Sequence, residues 1–368
     1  MHTVRRYSSG CGYPRRARGA ALITALFVVT LSALLVSGLL WRQQIQIRRI
    51  ENQQMMMQAQ WVQRGALDWT RFILRAAADT SPIDYLGGIW AVPIAQTRLS
   101  DLLGRAGAAG DAYEQDTYLS GSIEDAQAKF NLRNLVKTPR PGQLELNLEQ
   151  LANFGRLLAI LNLNPELAKA TALQLRASLV NSRQGLQSEG TSKLQRPAGR
   201  ENIESQADNS SFAADSDTSS FEGGVNSQWL SINSVEALLD VPGFNADMVA
   251  QLKPFVTVLP QPSAVNVNTA SAEVLAAMIP GLDVPNAQML LTLREQVFFV
   301  NTGDFTNRVR AIAGSQLEFD TSQFDVKTDF FVIHGHVQHN RALLLRDVLV
   351  YRHRLTRSTR IISMRDAV

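Results

Sequence analysis

Apolar residues follow three different patterns along this chain. The first is unbroken: Ala20–Trp41 is a run of 22 residues without a charge, enough to cross a bilayer core of about 30 Å as a helix. A secretory signal has an apolar core of about 7–15 residues with a small-residue cleavage site after it. This run is longer and lacks such a site, so it is expected to be retained. The second pattern has helical period. Trp61, Val62, Ala66, Trp69, Phe72 and Ile73 recur at steps of three and four, an apolar stripe expected to lie on the protein's own sheet. Asp79-Thr80-Ser81-Pro82 closes it. A single helix over Ala20–Ala78 would be about 90 Å long.

Alternation is the third pattern. Tyr118–Ile123 and Ala128–Leu132 flank a polar turn at Glu124-Asp125 and predict a β-hairpin. Helical period returns over Leu144–Leu179. Residues 185–224 are rich in Ser, Asp and Gly, and predict a long polar loop. Near the C-terminus FDVKTDFFVIHGHVQ and RALLLRDVLVYRHR alternate again, with Asn340 and its neighbours, His339 among them, in the turn.

Between these strands two segments are alike. SINSVEALLDVPGFNADMVAQLKPF and VNTASAEVLAAMIPGLDVPNAQMLLTLREQ each run from a polar cap (Asn233-Ser234; Asn268-Thr269) into a short helix. Each then turns at Pro-Gly (Pro242-Gly243; Pro280-Gly281) into a second helix. They form helix–hairpin–helix-like (SAM-like) pairs. Strands early and late with helices between predict an α+β fold, one sheet domain interrupted by a mostly helical insertion.

Charge alters this picture little. The net charge of +3 includes Arg5, Arg6, Arg15, Arg16 and Arg18, and without those five it is −2. The basic balance therefore belongs to the N-terminal segment and places it on the cytoplasmic side of the membrane. Cys11 is the sole cysteine, which excludes an intrachain disulfide and a cysteine nucleophile in the soluble part.

Candidate chemistry is sparse. His334 and His336 share a strand face, with His339 and His353 nearby. Zinc would need a third ligand at a fixed position, so solvated strand histidines are the expected reading. Glu201, Glu204, Asp208, Asp215, Asp217 and Glu222 gather in the polar loop without an EF-hand spacing. Helix–hairpin–helix pairs can bind DNA through amides aimed at a phosphate. Here Asp247 and Asp283 follow the turns, and only Lys253 and Arg294 are near, which favours a structural or protein-binding role. Met55-Met56-Met57 predicts adaptable packing. No phosphate loop, nucleophile elbow or metalloprotease motif occurs, and a membrane-tethered hydrolase has no residue in its favour.

A basic leader ending in Gly19, followed by an apolar run that is kept as the start of a long helix, resembles the type IV prepilin-like proteins. In that family a membrane peptidase cuts after the glycine and N-methylates the new terminus. The resemblance implies processing between Gly19 and Ala20. The fifth mature residue is Thr24, where these pilins usually carry Glu. That carboxylate is costly in lipid without a partner, so a chain lacking it suits the end of a filament. The stretches GAALITALFVVTLSALLVSGLLWRQQIQIRRIEN, SGSIEDAQAKFNLRNL, VNVNTASAEVL and FDVKTDFFVI narrow the match. In this order they resemble the general secretion pathway protein K family, the large minor pseudopilins of type II secretion systems, over nearly the whole chain.

The resemblance implies a leader over 1–19, a transmembrane segment over 20–41, a pilin-like domain over 42–135 and 295–368, and an inserted helical domain over 136–294. It implies an enzymatically inactive protein at the pseudopilus tip that starts assembly with the I and J minor pseudopilins. Further partners would be the prepilin peptidase and inner-membrane lipid, with no nucleic acid. The soluble part would be periplasmic. No cofactor is required. Some members bind calcium in the insertion, but Asn181 stands here where an Asp is expected, leaving Glu201 as the one ligand to name. The alternative from a different class is a membrane-anchored helix–hairpin–helix DNA-binding protein of a DNA-uptake system.

Overall fold

The computed structural model describes residues 18–103, 117–140, 143–192, 232–314 and 316–367, with side chains from residue 22 onward except over 102–103 and 181–192. Its first element is α1 (Arg18–Thr80), a continuous helix of 63 residues. The chain then forms β1 (Ile94–Arg98), the short α2 (Leu99–Leu103) and β2 (Thr117–Asp125). Late in the sequence come β9 (Phe330–His339), β10 (Ala342–Arg352) and β11 (Thr359–Asp366). These five strands make one antiparallel sheet in the order β1-β2-β9-β10-β11. The fold is α+β, as the order of periods predicts.

The expected hairpin over 118–132 does not form. β2 pairs instead with β9, Asp125 opposite Phe331 and Thr117 opposite His339. The supposed turn, Glu124-Asp125, is the end of β2, and Ala126–Ala128 is a 3₁₀ turn. The next strand, β3 (Phe130–Asn131), leaves the sheet to pair in parallel with β6 (Val256–Thr257). Alternation identified the strands, but partners are chosen by which apolar faces can be buried together.

Everything between β2 and β9 thus departs from and returns to one end of the sheet. In order, this lobe contains β4 (Val136–Lys137), β5 (Glu145–Leu146), α3 (Leu148–Ile160) and α4 (Leu167–Ser192). After the undescribed residues come α5 (Ala246–Leu252), β7 (Val265–Asn266), α6 (Ala272–Met278), α7 (Val284–Gln296), α8 (Thr302–Ala313) and β8 (Phe324–Asp325). The helical period over 144–179 resolves into α3 and α4, broken where Asn162 adopts φ 58° ahead of Pro165. The polar loop starts later than expected: residues 185–192 continue α4, and residues 193–224 lie outside those described.

Two cores result. The larger one runs from Phe130 to Val326 and includes Phe299, Phe305 and Phe324. Its Phe130 and Phe154 rings are stacked at 5.4 Å, and α6 is buried on nearly every side. The smaller one lies between α1 and the sheet, where Leu67, Leu74 and Ala77 meet Phe331, Ile333, Val348 and Val350. Ala59 extends this contact onto Leu119, Val337 and Leu344.

Candidate functional site

α1 divides into two halves of different character. Its first half holds the candidate processing pair Gly19 and Ala20 within the helical backbone, and Thr24 lies on its exposed surface. Leu22, Phe27, Leu34 and Trp41 are bare apolar surface. A helix this long and apolar can cross a membrane, and none of its most apolar window is buried by the protein. An uncovered apolar cylinder of this kind needs lipid or other helices around it.

The second half packs on the sheet, as expected, but through only part of the expected stripe. The buried face is Ala59, Gln63, Leu67, Thr70, Leu74 and Ala77, with Val62, Ala66 and Ile73 at its margin. Trp61 is 64% exposed, Phe72 66% and Trp69 41%. Both rows repeat at three and four, so periodicity alone did not separate them. Close approach of helix to sheet selects small and aliphatic side chains and turns the large rings outward.

The two lobes meet at a buried polar junction that sequence reading missed. Asp125, at the end of β2, is buried. Its carboxylate accepts hydrogen bonds from the Gln127 backbone N–H (2.7 Å), Asn266 Nδ2 (2.8 Å), Thr269 Oγ1 (2.6 Å) and Thr328 Oγ1 (2.5 Å). Asn266 Nδ2 also reaches the Asp84 carbonyl at 3.0 Å. Next to it the Asp84 carboxylate accepts from Arg352 Nη2 at 2.5 Å and from the Thr328 N–H at 2.9 Å. Arg352 further donates to the carbonyls of Leu74 on α1 and Thr328. Side chains of Asp84 and Arg352 are each only 7% exposed. This network ties α1, β2, β10 and the VNVNT segment of the insertion together. Burial pushes the Asp125 carboxyl up to about 6, against the four donors that favour its ionised form.

Asn268, the other asparagine of that segment, pairs both ways with the Phe299 backbone: Nδ2 donates to its carbonyl and Oδ1 accepts from its N–H. The expected cap pair Asn268-Thr269 is thus occupied elsewhere, and Ser271 caps α6.

The four histidines do not converge. His334 sits across the sheet between Asp347 (Nδ1 to Oδ1, 2.7 Å) and Glu124 (Nε2 to Oε2, 3.1 Å). His339 is the last residue of β9 rather than part of the turn, and its Nδ1 lies 2.7 Å from Thr117 Oγ1. His353 follows β10 beside Tyr351. Among the described residues no group of three or more His, Cys, Asp or Glu side chains is placed to hold a metal ion. The hydrogen bond that His334 donates to Glu124, and its pairing with the Asp347 carboxylate, raise the His334 pKa above its ordinary value, outweighing burial. Burial alone would raise Glu124, but His334 and the Lys129 ammonium at 2.6 Å bring it down to about 2. The His334 contribution is fully present below its ordinary value of 6.5 and is lost as pH rises through its raised folded value. The Glu124→Gln variant is expected to lower the His334 pKa, a change read directly by NMR titration of the ring; an unmoved titration would show that Asp347 alone sets it.

Neither hairpin presents a phosphate site. Gly243 and Gly281 take φ of 101° and 86° at the two turns, a region that favours glycine. The first helix of the first pair is a 3₁₀ helix, Val235–Asp240, rather than an α-helix. Asp283 occupies the N-terminus of α7 itself, accepting from the Asn286 N–H at 2.9 Å. Asn245 does the same for α5, with Asp247 in its first turn. Of the two cations, Lys253 pairs with Glu236 at 2.9 Å, and Arg294 is buried, donating to the Val267 and Ala270 carbonyls. Burial brings the Arg294 pKa down to about 10. With the cations engaged and carboxylates at the helix starts, no phosphate contact releases counterions. The candidate calcium ligand Glu201 lies outside the described residues, as does the acidic run that follows it. Asn181 lies on α4, within the part whose side chains are not described.

Comparison with known proteins identifies relatives. Two family models, both described as type II secretion system (T2SS), protein K, match residues 128–261 and 265–327, together more than half of the chain. The type II secretion system protein K of Pseudomonas aeruginosa is 29% identical over 306 residues, covering 80% of this chain and 78% of that protein. The solved GspK-GspI-GspJ complex from the enterotoxigenic Escherichia coli type 2 secretion system contains a chain of similar fold. The TM-score is 0.59 at 16% identity, covering 87% of this chain and 99% of that one.

Proposed function

Because this chain belongs to the type II secretion system protein K family, we propose that it works by assembly rather than catalysis, as a minor pseudopilin. α1 carries this reading. One helix is exposed apolar surface over its first half and is packed on the protein's own sheet over its second. Such a helix can leave lipid for a filament while the sheet lobe stays folded around it. In this reading the prepilin peptidase cuts after Gly19 and methylates Ala20. The five arginines of the leader keep the N-terminus cytoplasmic and the soluble part periplasmic.

The relative's complex with two further components of its system supports the I and J minor pseudopilins as partners. Thr24, where other pilins place a carboxylate, supports a position at the tip, where the next subunit's amine is not needed. From there the protein would start assembly and support export across the outer membrane.

The test is the intact mass of the full chain expressed with and without a prepilin peptidase. The expected result is loss of residues 1–19 and gain of one methyl group, with Gly19→Ala left at full mass and unable to support secretion. An unchanged wild-type mass would overturn the processing step and with it the filament role.

A further inference from the structure

The contact between α1 and the sheet is incomplete. Gly121 on β2 and Gly335 on β9 are directly opposite in the register. The space they leave beneath Gln63, Leu67 and Thr70 is a cavity of about 170 Å³, walled by Trp90, Leu119 and Val348 among others. Trp69 on α1 and Ile89 and Val92 on the segment before β1, all three exposed, also line it.

The two glycines differ in what they require. A Cβ at Gly121 would come within 2.7 Å of the His334 carbonyl, so the backbone itself demands glycine there. At Gly335 the nearest atoms to an added Cβ are the Arg346 carbonyl at 3.7 Å and Gln63 Nε2 at 3.8 Å, both ordinary contacts. Its φ is outside the left-handed region. A Cβ at 335 would therefore enter the space at ordinary contact distances.

Gln63 supplies a second, independent observation. It is 8% exposed, lines the same cavity, and makes no hydrogen bond among the described residues. Neither polar atom of its side chain is fully buried, so the amide faces the open space of the cavity. A ligand hydroxyl there would take the place of water on this amide. The neighbouring Thr70 hydroxyl is already committed to the Ala66 carbonyl at 2.8 Å.

We infer that this cavity binds one six-membered aromatic ring bearing a single hydrogen-bonding group, a phenol-class molecule, with its ring against Leu67, Trp90 and Val348 and its hydroxyl on the Gln63 amide. The size agrees, because an apolar protein cavity of about 150 Å³ takes up benzene. The site is separate from the assembly role and does not depend on it.

The experiment uses the full chain in detergent micelles, with p-cresol and toluene as probes and binding followed by calorimetry and by thermal shift. Saturable binding of p-cresol is expected, with toluene weaker by about tenfold for want of the hydroxyl. Gly335→Val should raise the unliganded melting temperature by filling the space and abolish p-cresol binding. Gly335→Ala, a smaller intrusion, should weaken binding while folding normally, which keeps the test decisive if the valine variant fails to fold. Gln63→Leu should reverse the preference in favour of toluene. Absence of saturable p-cresol binding to the wild type, or equal binding by the Gly335 variants, would overturn the site. An unchanged preference in Gln63→Leu would overturn the role of the amide.

Discussion

Arg352→Met should destabilise the protein by about 3–5 kcal/mol in denaturant unfolding of the full chain, because it leaves a buried carboxylate without its cation. Among the described residues Arg352 is the sole cation on Asp84, and its other donors hold the end of α1 through the Leu74 carbonyl and the β8–β9 connection through the Thr328 carbonyl. Its guanidinium also lies 4.7 Å from the centroid of the Phe331 ring, and methionine would keep that packing but none of the charge. Asp84→Asn should cost less than Arg352→Met, because a neutral amide still accepts from the Thr328 N–H. The double variant should cost less than the two single ones added together, since the residues share one interaction. A loss below about 1 kcal/mol for Arg352→Met would mean that water reaches Asp84 and that the pair behaves as an exposed one.

Asp125→Ala is the second large effect, expected at about 3–5 kcal/mol. Four donors converge on this carboxylate, and each one orphaned in a dry site costs about 1–3 kcal/mol. The total falls short of that sum because water can enter the vacated space. The pH dependence has a defined sign. The Asp125 pKa is raised from 3.8 to about 6 by burial, so the folded protein binds its proton more tightly than the unfolded chain does. Stability from this group is therefore fully present below about pH 4 and is lost as pH rises through about 6. A shift of about two units corresponds to roughly 3 kcal/mol. The stability advantage of wild type over Asp125→Asn should shrink by up to that amount between pH 4 and about pH 6.5. Glu124 and His334 titrate in both proteins and cancel in the difference. A flat difference would show that the four donors keep Asp125 ionised throughout.

These two residues also mark the limit of sequence reading. Asp84 and Arg352 are 268 positions apart, and no local pattern joins them. Asp125 read as a turn residue because it is polar and follows an alternating run, and its burial depends on a lobe that begins after it. The VNVNT segment stood out in the sequence, but the reason emerges only from contacts. Asn266 faces Asp125 and Asp84, and Asn268 completes the Phe299 backbone. His334 and His336 share a strand face as predicted, but His334 pairs with Asp347 and Glu124, whereas His336 Nε2 is buried without a hydrogen-bond partner among the described residues.

The sequence by itself determined what depends on neighbours along the chain. A 22-residue uncharged run behind a row of arginines gives the membrane helix, and helical period after it gives the helix that continues. Alternation at both ends and helical period between them give α+β. The helix–turn–helix pairs follow from Pro-Gly turns whose glycines adopt positive φ. Tertiary structure alone decided what depends on residues distant in sequence. β2 pairs with β9 across the whole of residues 126–329, because that pairing buries Leu119 and Ile123 with Ile333 and Val337 under one helix. The sheet also chose the face of α1. Two apolar rows satisfy the same period, and the one with Ala59, Leu67 and Ala77 approaches closely enough to pack, so Trp61 and Phe72 point to solvent.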